Sequence, residues 1–344
     1  MSTGRKCEAV VSFNGQNVTG NINSFLKNIS YEDVAKDRSD ALSITLSNID
    51  KRWLNDWYPT KGDSMRCGFI FTNWNGEGDN FKKDCGKFVL DEISFSGNPS
   101  TAVFSGLALP ANASFNTKRR NKCWSKITIE KIAYTIGRRY RLRLQYQAPK
   151  ISITELEQSD EDDSSFLYNL CQEYNLGMKV YDDKLVIYDP GELERKDPVA
   201  TLTPMSFIGG DWSYTDSLDG TYNGARIAYK ASKNSTKTKS MYVGTVKETA
   251  DDARTLRISK TANNKADAKY QAVAQINASN ENATKLTGTI WADGKICAGA
   301  TVSVTGFGKP NGKYFVEQCT INLAGNGATM TVTMHKVVKR IRRV

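Results

Sequence analysis

Histidine is nearly absent: His335 is the sole one in a chain of 344 residues. A Ser-His-Asp triad, a papain-like dyad or a His-rich metal site would have to use it. It follows Met330, Val332 and Met334 in an alternating run, so its side chain is expected opposite those residues, on a surface or tunnel-facing strand. The seven cysteines, Cys7, Cys67, Cys85, Cys123, Cys171, Cys297 and Cys319, are odd in number and contain no CxxC pair. They read as reduced thiols, mostly small core residues, and four-ligand zinc spacing is absent. No apolar run approaches the ~18 residues of a membrane span. The opening residues lack the apolar stretch of a signal peptide, so no export leader is expected. Gly306-x-Gly308 and Gly325-x-Gly327 lack a third glycine, and no Gly-Lys-Ser/Thr phosphate loop occurs. No cofactor or metal is therefore expected. What is present, 39% apolar and 24% charged residues, is the composition of a globular chain and excludes wholesale disorder. The length points to two or three domains.

The net charge of +10 is local. Residues 115–150 hold eleven basic residues, Arg138, Arg139, Arg141 and Arg143 among them, against the single acid Glu130. The remainder balances. An acidic cluster follows at once: Glu155, Glu157, Asp160, Glu161, Asp162 and Asp163. The C-terminal stretch is basic again through Lys336, Lys339, Arg340, Arg342 and Arg343. A basic stretch interleaved with Tyr134, Tyr140 and Tyr146 could track a nucleic-acid backbone. No nucleic-acid fold signature accompanies it, so the favoured reading is an assembly contact. The candidate interface residues are Arg138, Arg139, Arg141, Arg143, Asp160, Asp162, Asp163, Lys339, Arg340, Arg342 and Arg343. The acids could suggest paired catalytic carboxylates, but helix capping explains them more simply.

Strand patterns dominate both ends. Leu42, Ile44 and Leu46 alternate with polar residues, and further strands are expected at Met65–Thr72, Lys87–Phe95 and Ala102–Leu109. The middle changes period. Ile129, Ile132, Ala133 and Ile136 mark a helix that Gly137 is expected to stop, and Phe166, Leu167, Leu170, Cys171 and Tyr174 stripe a second. A hairpin is expected around Asp182-Asp183, and Pro190-Gly191 and Pro198 read as a linker. Strands resume at Trp212–Leu218, Tyr222–Tyr229 and Met241–Val246. A helix with Ala266, Tyr270, Val273 and Ile276 on one side follows, then four more strands. Gly86-Lys87 leading through a strand to Gly97-Asn98 is echoed by Gly312-Lys313 leading to Gly325-Asn326. A duplicated small β-barrel explains that echo. The expected architecture is mainly β: a first barrel domain over 1–114, a small helix–hairpin α/β domain over 115–190, and a second barrel domain with one inserted helix over 191–344.

The stretch from Gln158 to Leu167, with Gly177 and the hairpin ending Lys184–Tyr188, resembles the middle of phage late-control gene D proteins. These are baseplate hub proteins of contractile tails, related in fold to the hub part of type VI secretion spike proteins. Trp124–Gly137 resembles that family's tryptophan-led helix, Ser213–Gly224 its strand-turn-strand, and Ala298–Tyr314 its closing barrel. The likeness spans most of residues 86–335. It implies a structural, non-enzymatic virion protein. Three copies with two barrels each would form a pseudo-sixfold ring, seated on the hexameric tail tube and holding a central trimeric spike. It further implies contact with other baseplate proteins and the tape-measure protein, DNA only in transit through the lumen, and no membrane. Since the sequence stops at Val344 without a needle region, the spike is expected to be a separate protein. Phage, tail-like bacteriocin and other injection devices all remain open. Two alternatives stand beside the hub: a tail-associated cell-wall hydrolase, and a nucleic-acid-binding protein built on residues 115–150.

Overall fold

The computed structural model describes residues 4–36, 38–110, 114–232, 237–325 and 327–341. The N-terminal part comprises β1 (Lys6–Phe13), β2 (Gln16–Asn17), α1 (Thr19–Ile22), β3 (Leu26–Val34), β4 (Ala41–Ser47), β5 (Ser64–Thr72), β6 (Phe81–Ser96) and β7 (Thr101–Leu107). Alternation works as expected here: Leu42, Ile44 and Leu46 are buried while Ser43, Thr45 and Ser47 are not. β6 begins at Phe81 rather than Lys87. Its polar first half pairs with β5 before a kink at Gly86, where φ is +86°, so periodicity alone misses it.

The middle unit comprises α2 (Ser114–Thr117), β8 (Arg119–Thr128), α3 (Ile129–Arg139), β9 (Arg143–Gln147), β10 (Ser152–Asp162), α4 (Asp163–Glu173), β11 (Gly177–Tyr181), β12 (Lys184–Tyr188) and α5 (Pro190–Glu194). Trp124 lies in strand β8, not in a tryptophan-led helix; the helix starts at Ile129, capped by Thr128. Gly137 does not end α3. It is buried inside the last turn against Leu142, and Arg141 takes the left-handed conformation at φ +60°. The acidic run divides between two elements: Asp160, Glu161 and Asp162 end β10, and Asp162 also caps α4 by accepting from the Ser165 N–H at 2.9 Å. Pro190-Gly191 opens a short buried helix instead of a linker. Proline suits the first helical position, and Asp189 caps it.

The C-terminal part comprises β13 (Ala200–Leu202), β14 (Phe207–Asp216), β15 (Gly224–Lys230), β16 (Thr238–Gly244), β17 (Thr255–Ala262), α6 (Lys265–Asn280), β18 (Thr284–Trp291), β19 (Thr301–Val304), β20 (Gly312–Ala324) and β21 (Gly327–Lys336). Strands β15, β16 and β17 form their own sheet, covered by α6. Ala266, expected on the buried face of α6, is exposed. Burial instead falls on Ala268, Gln271, Ala272, Val273, Ala274, Ile276 and Asn277, because small side chains let the helix pack on several sides.

One 13-stranded sheet joins both ends of the chain, in the order β14-β18-β21-β20-β3-β4-β7-β6-β5-β1-β2, with β19 on β20 and β13 on β19. Within it the order β3-β4-β7-β6-β5 is repeated by β14-β18-β21-β20-β19. The cross-strand row Tyr31–Leu42–Gly106–Leu90 matches Tyr214–Leu286–Met334–Val316. A register shift follows in each copy, after Leu90 and after Val316. Gly62 donates to the Leu90 carbonyl at 2.8 Å, and Gly299 to that of Val316 at the same distance. Both glycines have φ near +90°, a region that favours glycine. The two copies meet where Asn28–Val34 of β3 pairs antiparallel with Gln318–Ala324 of β20, and they share one hydrophobic core.

Candidate assembly surfaces

The basic and acidic stretches meet inside one chain. Strand β8 pairs with β10 so that Arg119 lies opposite Asp162 and Arg120 opposite Glu161. Asp163 is fully buried at the start of α4. It accepts from Arg120 Nε at 3.0 Å and Gln158 Nε2 at 3.0 Å, and from Arg139 and Tyr140 Oη. Burial alone would push its carboxyl up, but the hydrogen bonds from Tyr140, Gln158 and Arg139 hold it below the usual carboxylate range. Asp163 and Arg139 are thus engaged within the fold. Asp160 pairs with Arg119 at 2.9 Å on the surface, while Arg138, Arg141 and Arg143 remain exposed. Lys339 is also exposed. Arg342 and Arg343 lie outside the described residues.

Arg340 turns inward to a charged cluster at the junction of all three parts. Its guanidinium donates to Glu194 Oε2 at 2.6 Å and to Glu281 Oε1 at 2.7 Å. Glu281 also accepts from Asn175 Nδ2 at 2.9 Å and pairs with Lys36. Its carboxyl is held down at about 2: burial opposes ionisation, but Lys36, Arg340 and His335 prevail. His335 points away from the methionines, as alternation requires, yet it is buried rather than surface-facing because α5 covers that face of the sheet. Its Nδ1 lies 2.8 Å from Glu317 Oε1 and its Nε2 lies 3.0 Å from Glu194 Oε1. Burial disfavours its charge, but the two carboxylates raise its pKa above the ordinary 6.5.

A raised pKa stabilises the fold fully below the unfolded value and loses that effect as pH climbs through the folded value. The stability of wild-type protein is therefore expected to decline as pH rises from about 6.5 through the folded-state pKa. His335→Gln is expected to flatten that decline in urea titrations across the same range; an unchanged slope would contradict the assignment.

A second buried cluster ties the middle unit to β3. Lys179 Nζ bridges Asp33 at 2.8 Å and Asp40 at 2.9 Å, and Asp33 also accepts from the Ala298 N–H at 3.1 Å. Burial, aided by Asp33, raises the Asp40 carboxyl to about 6 against the pull of Lys179. Sequence reasoning found none of Lys36, Glu194, Glu281, Glu317, Lys179, Asp33 or Asp40 as site residues. They are scattered along the chain in no local motif.

Among the sheet edges left open by the described residues, two lie in the repeated strands. No strand among the described residues pairs with the outer side of β14, or with Asp91–Ser96 of β6 on the side away from β7. Large apolar side chains lie exposed around β14: Met205 at 93%, Leu218 at 72% and Trp212 at 40%. Such groupings mark contact surfaces more often than isolated exposed residues do. No helix among the described residues is long and apolar enough to cross a membrane.

The YQBQ-like family pattern matches residues 161–335. The probable baseplate hub protein of Escherichia phage P2 is 25% identical over 234 residues, covering 65% of this chain and 57% of that relative. The chain thus spans a little over half the length of the relative. The 43 kDa tail protein of prophage MuSo2 from Shewanella oneidensis shares the fold at a TM-score of 0.69, with 12% identity over 96% of this chain and 98% of that one. The E. coli c3393 protein, a component of the type VI secretion system, superposes with a TM-score of 0.57 and 11% identity, over 97% and 80%. On the match across half its length, the chain belongs to the YQBQ-like family, and its relatives by sequence and fold are phage baseplate hub and tail proteins.

Proposed function

We propose that this chain is the structural hub of a contractile-tail baseplate, a ring of three copies joining a hexameric tail tube to a central trimeric spike. The observation that carries this reading is the internal repeat of strand order, β3-β4-β7-β6-β5 and β14-β18-β21-β20-β19. A chain with two equivalent halves lets a threefold ring offer six similar faces to a sixfold partner. On this reading each repeated half supplies one tube-like barrel of the ring. The open edges at β14 and β6 leave room for continuation by further copies. Arg138, Arg141 and Arg143 are exposed on the middle unit, available for contact with neighbouring tail proteins or with DNA in transit. A scaffold role is favoured over a histidine-dependent hydrolase because both ring nitrogens of His335 are committed to Glu194 and Glu317. Native mass measurement of the chain co-produced with its tube and spike proteins tests this reading.

A further inference from the structure

At the internal junction, β3 of the first repeat lies on the second half of β20 in the second repeat, Tyr31 opposite Ile321 and Glu32 opposite Thr320. The strand equivalent to β3 is β14, whose outer side is open. The strand equivalent to β20 is β6, whose second half is open on the corresponding side. The row Leu26–Leu46–Ala102–Phe95 matches Phe207–Ile290–Met330–Ile321, which places Phe95 where Ile321 stands. Tyr214 likewise stands where Tyr31 does.

Burial supports the equivalence. Ile29, Tyr31, Cys319 and Ile321 are at most 2% exposed at the internal junction. Their counterparts Trp212, Tyr214, Ile93 and Phe95 are all partly or largely exposed. An apolar edge residue left half in water at both open edges is the surface that strand addition would cover. A polar feature repeats as well. Asp33 accepts the Ala298 N–H across the internal junction. Asp216 holds the place of Asp33, and Lys61, just before Gly62, holds that of Ala298, just before Gly299.

Resting on the three-copy hub reading, we infer that β14 of one copy pairs antiparallel with Glu92–Ser96 of β6 in the next copy. The register sets Tyr214 opposite Phe95, Thr215 opposite Ser94, and Asp216 beside the Lys61 backbone N–H. The contact is head-to-tail: an edge of one type meets an edge of the other, so three copies close a ring of six junctions, three within chains and three between them.

Ser94 and Thr215 are both exposed, so cysteine is tolerated at each without disturbing the core. Directly opposed residues of an antiparallel pair lie within disulfide reach. The test is the double variant S94C/T215C in the full chain, co-produced with tube and spike proteins and mildly oxidised. A covalent ladder ending at three chains is expected on a non-reducing gel, with at least a tenfold loss of ladder in S94C alone, T215C alone and the off-register pair S94C/D211C. Three-copy assemblies that give no S94C/T215C ladder, or an equal ladder from the off-register pair, would overturn the pairing while leaving the hub reading intact. Absence of any three-copy assembly in the unsubstituted protein would overturn both.

Discussion

Glu281→Gln is expected to destabilise the protein by about 3–5 kcal/mol, the usual cost of removing one partner from a buried ion pair. The Glu281 side chain is only 5% exposed, and it receives Lys36 and Arg340, themselves 21% and 17% exposed. The amide keeps the shape and one acceptor oxygen but takes the counter-charge from Lys36 and leaves Arg340 with Glu194 alone. Those cations come from the end of β3 and from the C-terminal segment, while Glu281 itself follows α6. The loss should therefore loosen the packing between parts more than any single sheet. The thermal midpoint should fall by roughly 10 °C. Coupling distinguishes this from a packing defect: Lys36→Met should cost less in the Glu281→Gln background than in the wild type. Equal costs in both backgrounds would show that the two residues act independently.

The second large effect is expected at Asp163→Asn, again about 3–5 kcal/mol, because the carboxylate is wholly buried between Arg120 and Arg139. Here the damage should stay within the middle unit. Tyr140, Gln158 and both arginines converge on this one group from β8, α3 and β10. Hydrogen exchange should accelerate across β8, β10 and α4 while β18, β20 and β21 keep their protection. Uniform acceleration across the molecule would mean that Asp163 supports the whole fold rather than this unit. The result also bears on the basic segment. Arg120 and Arg139 serve the interior, so charge reversal at Arg138, Arg141 and Arg143 is the cleaner probe of surface binding.

Much of the fold is legible in the sequence wherever one face of an element is buried. Leu42, Ile44 and Leu46 announce β4, and Phe166, Leu167, Leu170 and Cys171 announce α4, because burial imposes the period of the element on its apolar residues. The pairs Gly86-Lys87 and Gly312-Lys313 likewise point to the repeat, since equivalent strands begin or kink there. Where burial is two-sided or slight, the signal fades. Strands β8 and β10 form a ribbon with charged residues along most of its length, so neither shows alternation. Helix α6 is legible as a helix, but its buried face is blurred by alanines that pack in several directions. The junction clusters were not legible at all. Lys36, Glu194, Glu281, Glu317, His335 and Arg340 meet only because the fold brings distant strands, helix ends and loops together. The inward turn of Arg340 shows why charge runs alone cannot separate an assembly surface from an internal ion network.

The central claim, that one chain supplies two equivalent places in a ring, is tested most directly by the copy number. Native mass measurement of the complex with tube and spike proteins should return three hub chains per six tube chains. A complex holding six hub chains, or a chain that stays single beside assembled tubes and spikes, would contradict it.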